Sequence, residues 1–137
     1  MLTANDLMTV DPVSVSPETT LRRVIAMMNT EGFRQLPVVA NGKLVGIITN
    51  RDVRLSVNSP YLHNISERKE FVDNFTVESC MTTNLISVTP DTPAAQVAEM
   101  LSLYKYGALP VVENDTLVGI VTVTDMLNYM AQALKEK

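Results

Sequence analysis

Two short stretches hold the side chains best placed to do chemistry: Gly46-Ile47-Ile48-Thr49-Asn50-Arg51-Asp52 and Gly119-Ile120-Val121-Thr122-Val123-Thr124-Asp125. Each puts a Thr three residues before an Asp at what reads as a helix start, and that spacing supports two uses of the same atoms. In the first, hydroxyl and carboxylate close a capping box, with Asp replacing the usual Glu or Gln; this contributes about 1 kcal/mol and needs no ligand. In the second, the carboxylate accepts hydrogen bonds from both hydroxyls of a ribose diol. The free N–H groups and partial positive charge of the helix N-terminus then suit a phosphate. The two uses are compatible.

Other reactive side chains are few. A single cysteine, Cys80, excludes an internal disulfide and a paired-cysteine zinc cluster. With no basic neighbour in sequence it reads as a small buried side chain. A single histidine, His63, excludes a metal site built from several histidines of one chain and reads as a solvated loop residue. No Ser has an adjacent His-Asp partner, so nucleophilic catalysis has no support and the chain is not expected to be an enzyme. Eleven basic against fifteen acidic side chains give a net charge of −4, which argues against nucleic acid as a partner. No apolar run approaches the ~20 residues that span a bilayer. Residues Met1 to Met8 carry Asp6 and no basic residue, unlike a secretory signal. Together with the lone thiol this places the expected location in the cytoplasm. With 46% apolar and 19% charged residues the chain can build a core, and with 5% aromatics and no Trp that core must be aliphatic.

The two stretches are parts of a longer repeat. Shifted by 73 positions, residues 7–53 lie over 80–126 without a gap, and nineteen of the forty-seven positions are identical. Leu36-Pro37-Val38-Val39 falls on Leu109-Pro110-Val111-Val112, and Leu44-Val45-Gly46-Ile47 on Leu117-Val118-Gly119-Ile120. The chain is a tandem duplication: 1–57 forms the first repeat, 58–76 the connection and 77–137 the second repeat.

Each repeat reads as β-α-β-β-α. Val13 to Val15 is a short β run. Thr19 or Thr20 caps a helix with Leu21, Val24, Ile25 and Met28 on one face, and Gly32 stops it. Leu36–Ala40 and Lys43–Thr49 flank an Asn41-Gly42 turn, a strong hairpin signal. Thr49 opens a helix to about Val57. The second repeat has Ile86–Val88, a helix near Pro93–Tyr104, strands Leu109–Glu113 and Leu117–Val123, and a helix from about Thr124 to Leu134. Met27, Met28, Met100, Met126 and Met130 fall at helical spacing and read as core, and Glu67 to Glu70 as a solvated helical face. A unit of this size cannot hold a core alone. The expectation is therefore an α+β fold of tandem repeats packed sheet to sheet with pseudo-two-fold symmetry, and a cleft between them.

Two copies of Leu-Pro-Val-Val, a hairpin and Gly-x-x-Thr-x-x-Asp resemble a CBS domain pair, or Bateman module, of the stand-alone bacterial or archaeal type. Gly46 to Arg54 is especially similar to the module within inosine monophosphate dehydrogenase. The resemblance covers about residues 6–130 and implies a non-catalytic regulatory module that needs no cofactor. It implies an adenosine-containing ligand between the repeats, with AMP, ADP or ATP favoured and S-adenosylmethionine or NAD as further candidates. It also implies pairing of modules into a homodimer and an output delivered in trans to an effector protein.

Carried onto this sequence, the resemblance makes Thr49 with Asp52, and Thr122 with Asp125, the ribose contacts. The Asp52 site would be completed by Met81, Asn84, Ile86, Tyr106 and Gly107, and the Asp125 site by Met8, Asp11, Val13, Phe33 and Arg34. Backbone beside Val13 and Ile86 would meet the adenine edge. Arg51, Arg54 and Arg34 stand near Asp52, where guanidinium groups suit bidentate phosphate contact; ordinary solvated charge is the other reading. Their counterparts Thr124, Leu127 and Gly107 are uncharged, and Asp11 adds negative charge, so a charged nucleotide is expected at Asp52 rather than Asp125. Met126, Tyr129, Met130 and Ala133 form an apolar stripe at i, i+3, i+4 and i+7, expected to contribute to the homodimer.

Overall fold

The structure, a computed structural model, describes residues 1–136. In chain order its elements are α1 (Ala4–Leu7), β1 (Thr9–Val10), α2 (Leu21–Glu31), β2 (Gln35–Ala40), β3 (Lys43–Thr49), α3 (Asn50–Val57), α4 (Ile65–Asn74), a 3-10 turn (Val77–Ser79), α5 (Ala94–Tyr104), β4 (Ala108–Glu113), β5 (Thr116–Thr122) and α6 (Val123–Lys135). The class is α+β with tandem repeats. Two compact units result: Val13–Leu85, and Met1–Pro12 together with Ile86–Lys137.

Each unit is built on one antiparallel hairpin. Asn41 and Gly42 both have positive φ (52° and 78°), as a two-residue turn that matches strand twist requires. The second hairpin makes the same turn with Asn114 and Asp115, at φ 53° and 67°. In both hairpins the register slips at one place: Val38 faces Gly46 while Val39 faces Leu44, and Val111 faces Gly119 while Val112 faces Leu117. One extra residue, Val45 or Val118, forms a bulge that bends the strand just before the functional motif.

The helices follow their caps. Thr20 accepts from the Arg23 N–H and starts α2, and Gly32, at φ 76°, ends it. In the second repeat the equivalent stop is Lys105, also left-handed at φ 57°. The sheet and α2 enclose Leu21, Val24, Leu36, Val38, Ile48, Val53 and Val77 in one unit. Ala4, Val88, Val97, Leu101, Leu109, Val111 and Val121 form the core of the other. Both cores are aliphatic.

The lead-in segments of the two repeats are exchanged. Residues before the first repeat's hairpin belong with the second hairpin: Thr3 bridges Pro93, and β1 pairs with β5 through Thr9–Ile120 and Val10–Gly119. The equivalent residues of the second repeat belong with the first hairpin, where Thr76 bridges Thr20 and Thr82 bridges Ile47. The compact units are thus cut differently from the sequence repeats 1–57 and 77–137.

Several local expectations are corrected. Val13–Val15 and Ile86–Val88 are not strands; only Val15 and Val88 make a bridge, to Val38 and Val111. The next donors of each parallel ladder would be residues 17 and 90, and both are Pro, which has no N–H; the Ser16 and Thr89 N–H groups, on the other side of the chain, donate to the Thr19 and Thr92 hydroxyls at 3.1 and 3.0 Å. Val123 opens α6 rather than ending β5, because Thr122 is the cap. Met130 is not core: it is exposed. Cys80 is half-buried rather than fully enclosed. Helix α1 and strand β1 went unread in the sequence.

Candidate functional site

The bulge and the hairpin deliver Thr49 and Thr122 to the first position before a helix in extended conformation. There each Thr meets the Asp three residues on. The Thr49 N–H donates to Asp52 Oδ2 at 2.9 Å, and the Asp52 N–H donates to the Thr49 hydroxyl at 3.0 Å. At the other motif the distances are 2.8 Å and 3.0 Å, between Thr122 and Asp125. The capping boxes are therefore formed, and each engages only Oδ2 of its carboxylate. Oδ1 lies outside the box, on a half-buried side chain at the positive end of a helix.

The exchanged lead-in segments run beside these motifs. Ile47 N–H donates to the Thr82 carbonyl at 3.0 Å and Thr82 N–H returns the bond at 2.8 Å, pinning Met81 over Gly46. A Cβ at Gly46 would lie 2.7 Å from Met81 Sδ and 3.1 Å from the Thr82 carbonyl oxygen, so only glycine admits this approach. Met8 lies over Gly119 in the same way, where an added Cβ would meet Met8 Cγ at 2.9 Å. Each Thr-x-x-Asp motif thus has a thioether from the opposite repeat beside its strand.

Of the residues expected around Asp52, Thr49, Arg51, Arg34, Met81 and Asn84 share its compact unit, whereas Ile86, Tyr106 and Gly107 fall in the other. Around Asp125, the residues Thr122, Met8 and Asp11 share its unit, and Val13, Phe33 and Arg34 fall in the other. The Arg34 carbonyl accepts from the Asn50 N–H at 2.9 Å, which fixes residue 34 at the start of α3; the Gly107 carbonyl does the same for Val123 at 3.0 Å. Arg34, Arg51 and Arg54 are exposed, and none makes an ion pair among the described residues, where Arg22–Asp73 is the pair formed. Asp11 is exposed with φ 49°. Tyr106 stacks on Tyr104 with ring centroids 5.6 Å apart, and Phe33 packs on the first core.

One residue near Asp52 was not expected there. Burial pushes the Cys80 thiol above its ordinary pKa, the Ser56 hydroxyl beside it opposes that rise, and the Asp52 charge adds to it. The sulfur is thus held as a neutral thiol close to the acidic cap. Adjacency of Cys80 to Met81 in sequence was the available signal. His63 is exposed, as expected of a loop residue. Among the described residues no group of three or more His, Cys, Asp or Glu side chains is arranged to hold a metal, and no helix is long and apolar enough to cross a membrane.

The family model of the CBS domain matches residues 4–59 and again 77–132. The chain belongs to the CBS domain family. It is 33% identical over 132 residues to a CBS domain-containing protein of Dictyostelium discoideum, spanning 94% of this chain and 91% of that one. It is also 33% identical to part of the inosine-5'-monophosphate dehydrogenase of Schizosaccharomyces pombe, spanning 93% of this chain and 23% of the enzyme. Among solved structures, the CBS domain pair of protein MJ0100, in complex with 5'-methylthioadenosine and S-adenosyl-L-methionine, matches with TM-score 0.81 and 26% identity. That match covers 97% of this chain and 98% of the other. The tandem α+β repeat is accordingly a CBS domain pair.

Proposed function

We propose that this CBS domain pair is a regulatory module that binds an adenosine-containing ligand beside Asp52, beside Asp125 or at both, and signals its occupancy in trans to an effector protein. The observation that carries the reading is the doubled arrangement of an acidic cap with one carboxylate oxygen outside the capping box, beside a segment lent by the other repeat. The adenosyl ligands of the MJ0100 pair support the ligand class. Thr49 and Asp52 would take the ribose diol, and Met81 the face of the base. Arg34, Arg51 and Arg54, exposed and without ion pairs among the described residues, favour a ligand with phosphates there, in the class of AMP, ADP or ATP. The Asp125 site, with Thr124, Leu127, Gly107 and Asp11, favours a less charged adenosyl ligand.

The module would act as a homodimer. The apolar stripe exposed on α6 is Val123, Leu127, Met130 and Leu134, at i, i+4, i+7 and i+11, with Leu127 57% and Leu134 63% exposed. Met126 of the stripe expected from the sequence turns to the core instead. A groove of about 160 Å³ between α5 and α6, lined by Leu101, Val123, Met126 and Leu127 among others, continues this face. Its counterpart between α2 and α3 mixes Ile25, Met28, Val53 and Val57 with Asn29, Asn50, Arg54 and Asn58. The apolar version is the one suited to self-association.

Thermal unfolding of the wild-type chain with AMP, ADP, ATP, NAD and S-adenosylmethionine, against GMP, tests the proposal. A rise in Tm with adenosyl ligands and none with GMP is expected. If no adenosyl ligand shifts Tm, the formed capping boxes favour a second reading, a ligand-free assembly module whose Thr-x-x-Asp motifs only start helices.

A further inference from the structure

We propose that the concavity bounded by α3, the turn at 59–62 and α4 is a docking groove for a positively charged amphipathic segment of a partner protein. It has a volume of about 720 Å³ and shares no lining residue with the Thr49–Asp52 motif. Leu55 comes from α3, Leu62 from the turn, and Phe71 and Phe75 from α4 and its end. The two Phe rings stack at 4.4 Å between centroids and form an aromatic wall. These apolar groups are not sequestered: Leu55 is 64% and Phe75 45% exposed. A solvated Leu and Phe on one concave surface mark an interaction site.

Charge selects the occupant. Helix α4 turns residues 67, 70, 71 and 74 to the groove, the i, i+3, i+4, i+7 face, so its two lining charges are Glu67 and Glu70. The basic residues of the same helix, Arg68 and Lys69, do not line it, and among the described residues no other Lys or Arg does. Glu67 is held at the rim by the His63 N–H, which donates to Oε2 at 2.6 Å. An apolar floor whose charged lining residues are both acidic complements a helix or strand carrying large apolar side chains flanked by Lys or Arg. A second copy of this chain is a poor occupant, because it carries net charge −4 and its exposed apolar helix α6 has one basic residue within its bounds, Lys135.

The test uses the full chain and a synthetic helical peptide with Leu and Phe on one face and Lys on its flanks. A twin peptide carries Glu at every Lys. Fluorescence anisotropy at low salt should show the Lys peptide binding about tenfold or more tighter, with the gap closing as salt rises. Amide shift changes should centre on Leu55, Leu62, Phe71 and Phe75. Glu70→Lys leaves one acidic and one basic lining group and should remove the preference, and Leu55→Asp should abolish binding of both peptides. Both side chains are exposed, so an unchanged Tm confirms that each variant still folds. Equal binding of the twins, no binding, or shifts centred on α6 would each overturn the proposal. So would a homodimer dissociated by Leu55→Asp, which would assign the groove to a second copy.

Discussion

Asp52→Asn separates the two jobs that the Asp52 carboxylate is proposed to hold. The capping box needs one acceptor, Oδ2, for the Thr49 N–H at 2.9 Å, and an asparagine oxygen supplies it in the same place. The Asp52 N–H to Thr49 hydroxyl bond is untouched. Stability should therefore change by less than about 0.5 kcal/mol. Asp52→Ala removes the acceptor and leaves a half-buried N–H unpaired, at a cost of about 1–2 kcal/mol, or roughly 3–8 °C in Tm for a chain of this size. A ribose diol needs an acceptor that offers no competing donor, and the asparagine amide presents an NH₂ group instead. Hydrogen bonds to a charged group contribute about 1.5–3 kcal/mol, so both variants should weaken adenosyl-ligand binding by about 10–150-fold. Even a 2 kcal/mol loss from a starting stability of about 5 kcal/mol leaves over ~99% of the chain folded, so unfolding does not account for such a drop. Calorimetric titration with AMP beside thermal unfolding gives both numbers for each variant. An Asp52→Asn protein that binds within twofold of wild type would refute the diol assignment.

Further outcomes follow from single positions. Lys105→Gly should raise stability by about 0.5–1 kcal/mol, since Lys105 holds the left-handed helix stop that Gly32 occupies in the first repeat, and urea unfolding reads the change. Gly119→Ala should cost more than Gly46→Ala, within about 1–3 kcal/mol each. Each added Cβ meets, at 3.1 Å, one atom that no rotamer change relieves, Met8 Cβ or the Thr82 carbonyl oxygen, but at Gly119 Met8 Cγ also crowds it at 2.9 Å, against 3.3 Å for Met81 Cγ at Gly46. The comparison fails if the two variants unfold together. The Cys80 thiol has its pKa raised above 9.0, mainly by burial, so the native state holds this proton more tightly than the unfolded chain. That contribution is present below about pH 9 and is lost as pH rises through the raised value. Wild type should therefore lose stability above pH 9 faster than Cys80→Ala in denaturant titrations, and should react slowly with iodoacetamide at neutral pH. Leu127→Asp should shift a homodimer toward monomer in sedimentation, without lowering Tm at high dilution, because the side chain is 57% exposed.

Local signals made most of the fold readable. The Asn41-Gly42 turn, the helix caps at Thr20 and Thr49 and the Gly32 stop each depend on residues close in sequence, and all appear where their chemistry places them. The Thr-x-x-Asp boxes were legible for the same reason. What the sequence concealed depends on distant partners. Val13–Val15 has strand composition, but only Val15 finds a partner, Val38, and Pro17 has no N–H to carry the pairing on. Helix α1 is four residues long; a local cap, the Thr3 N–H donating to Asp6 Oδ2 at 2.9 Å, starts it, and long-range bonds such as Ala4 N–H to the Thr92 carbonyl at 2.8 Å hold it in place. Met130 and Met126 have the same side chain at helical spacing, and only the packing of α6 on its own core decides that one faces in and the other out.

The capping box and the ligand site use the same atoms for a physical reason. A strand that stops at a Thr and turns at once into a helix leaves N–H groups unpaired, and evolution of a cap at that point supplies a carboxylate already fixed in place. Because Oδ2 is held by the Thr N–H, Oδ1 has its direction set before any ligand arrives, so little rotamer freedom remains to be lost on binding. The same lock ties the carboxylate to the backbone at the start of α3 or α6. A hydroxyl drawn to Oδ1 would pull on the first turn of that helix, and α3 goes on to supply Leu55 and Ser56 to the acidic groove. Under the functions proposed for both places, one rigid helix of eight residues joins the nucleotide contact to the effector contact, so occupancy at Asp52 should change peptide affinity in the groove. By reciprocity, the Lys-flanked peptide should change AMP affinity by the same factor. A factor of one in both titrations would show that the two sites are not coupled through α3.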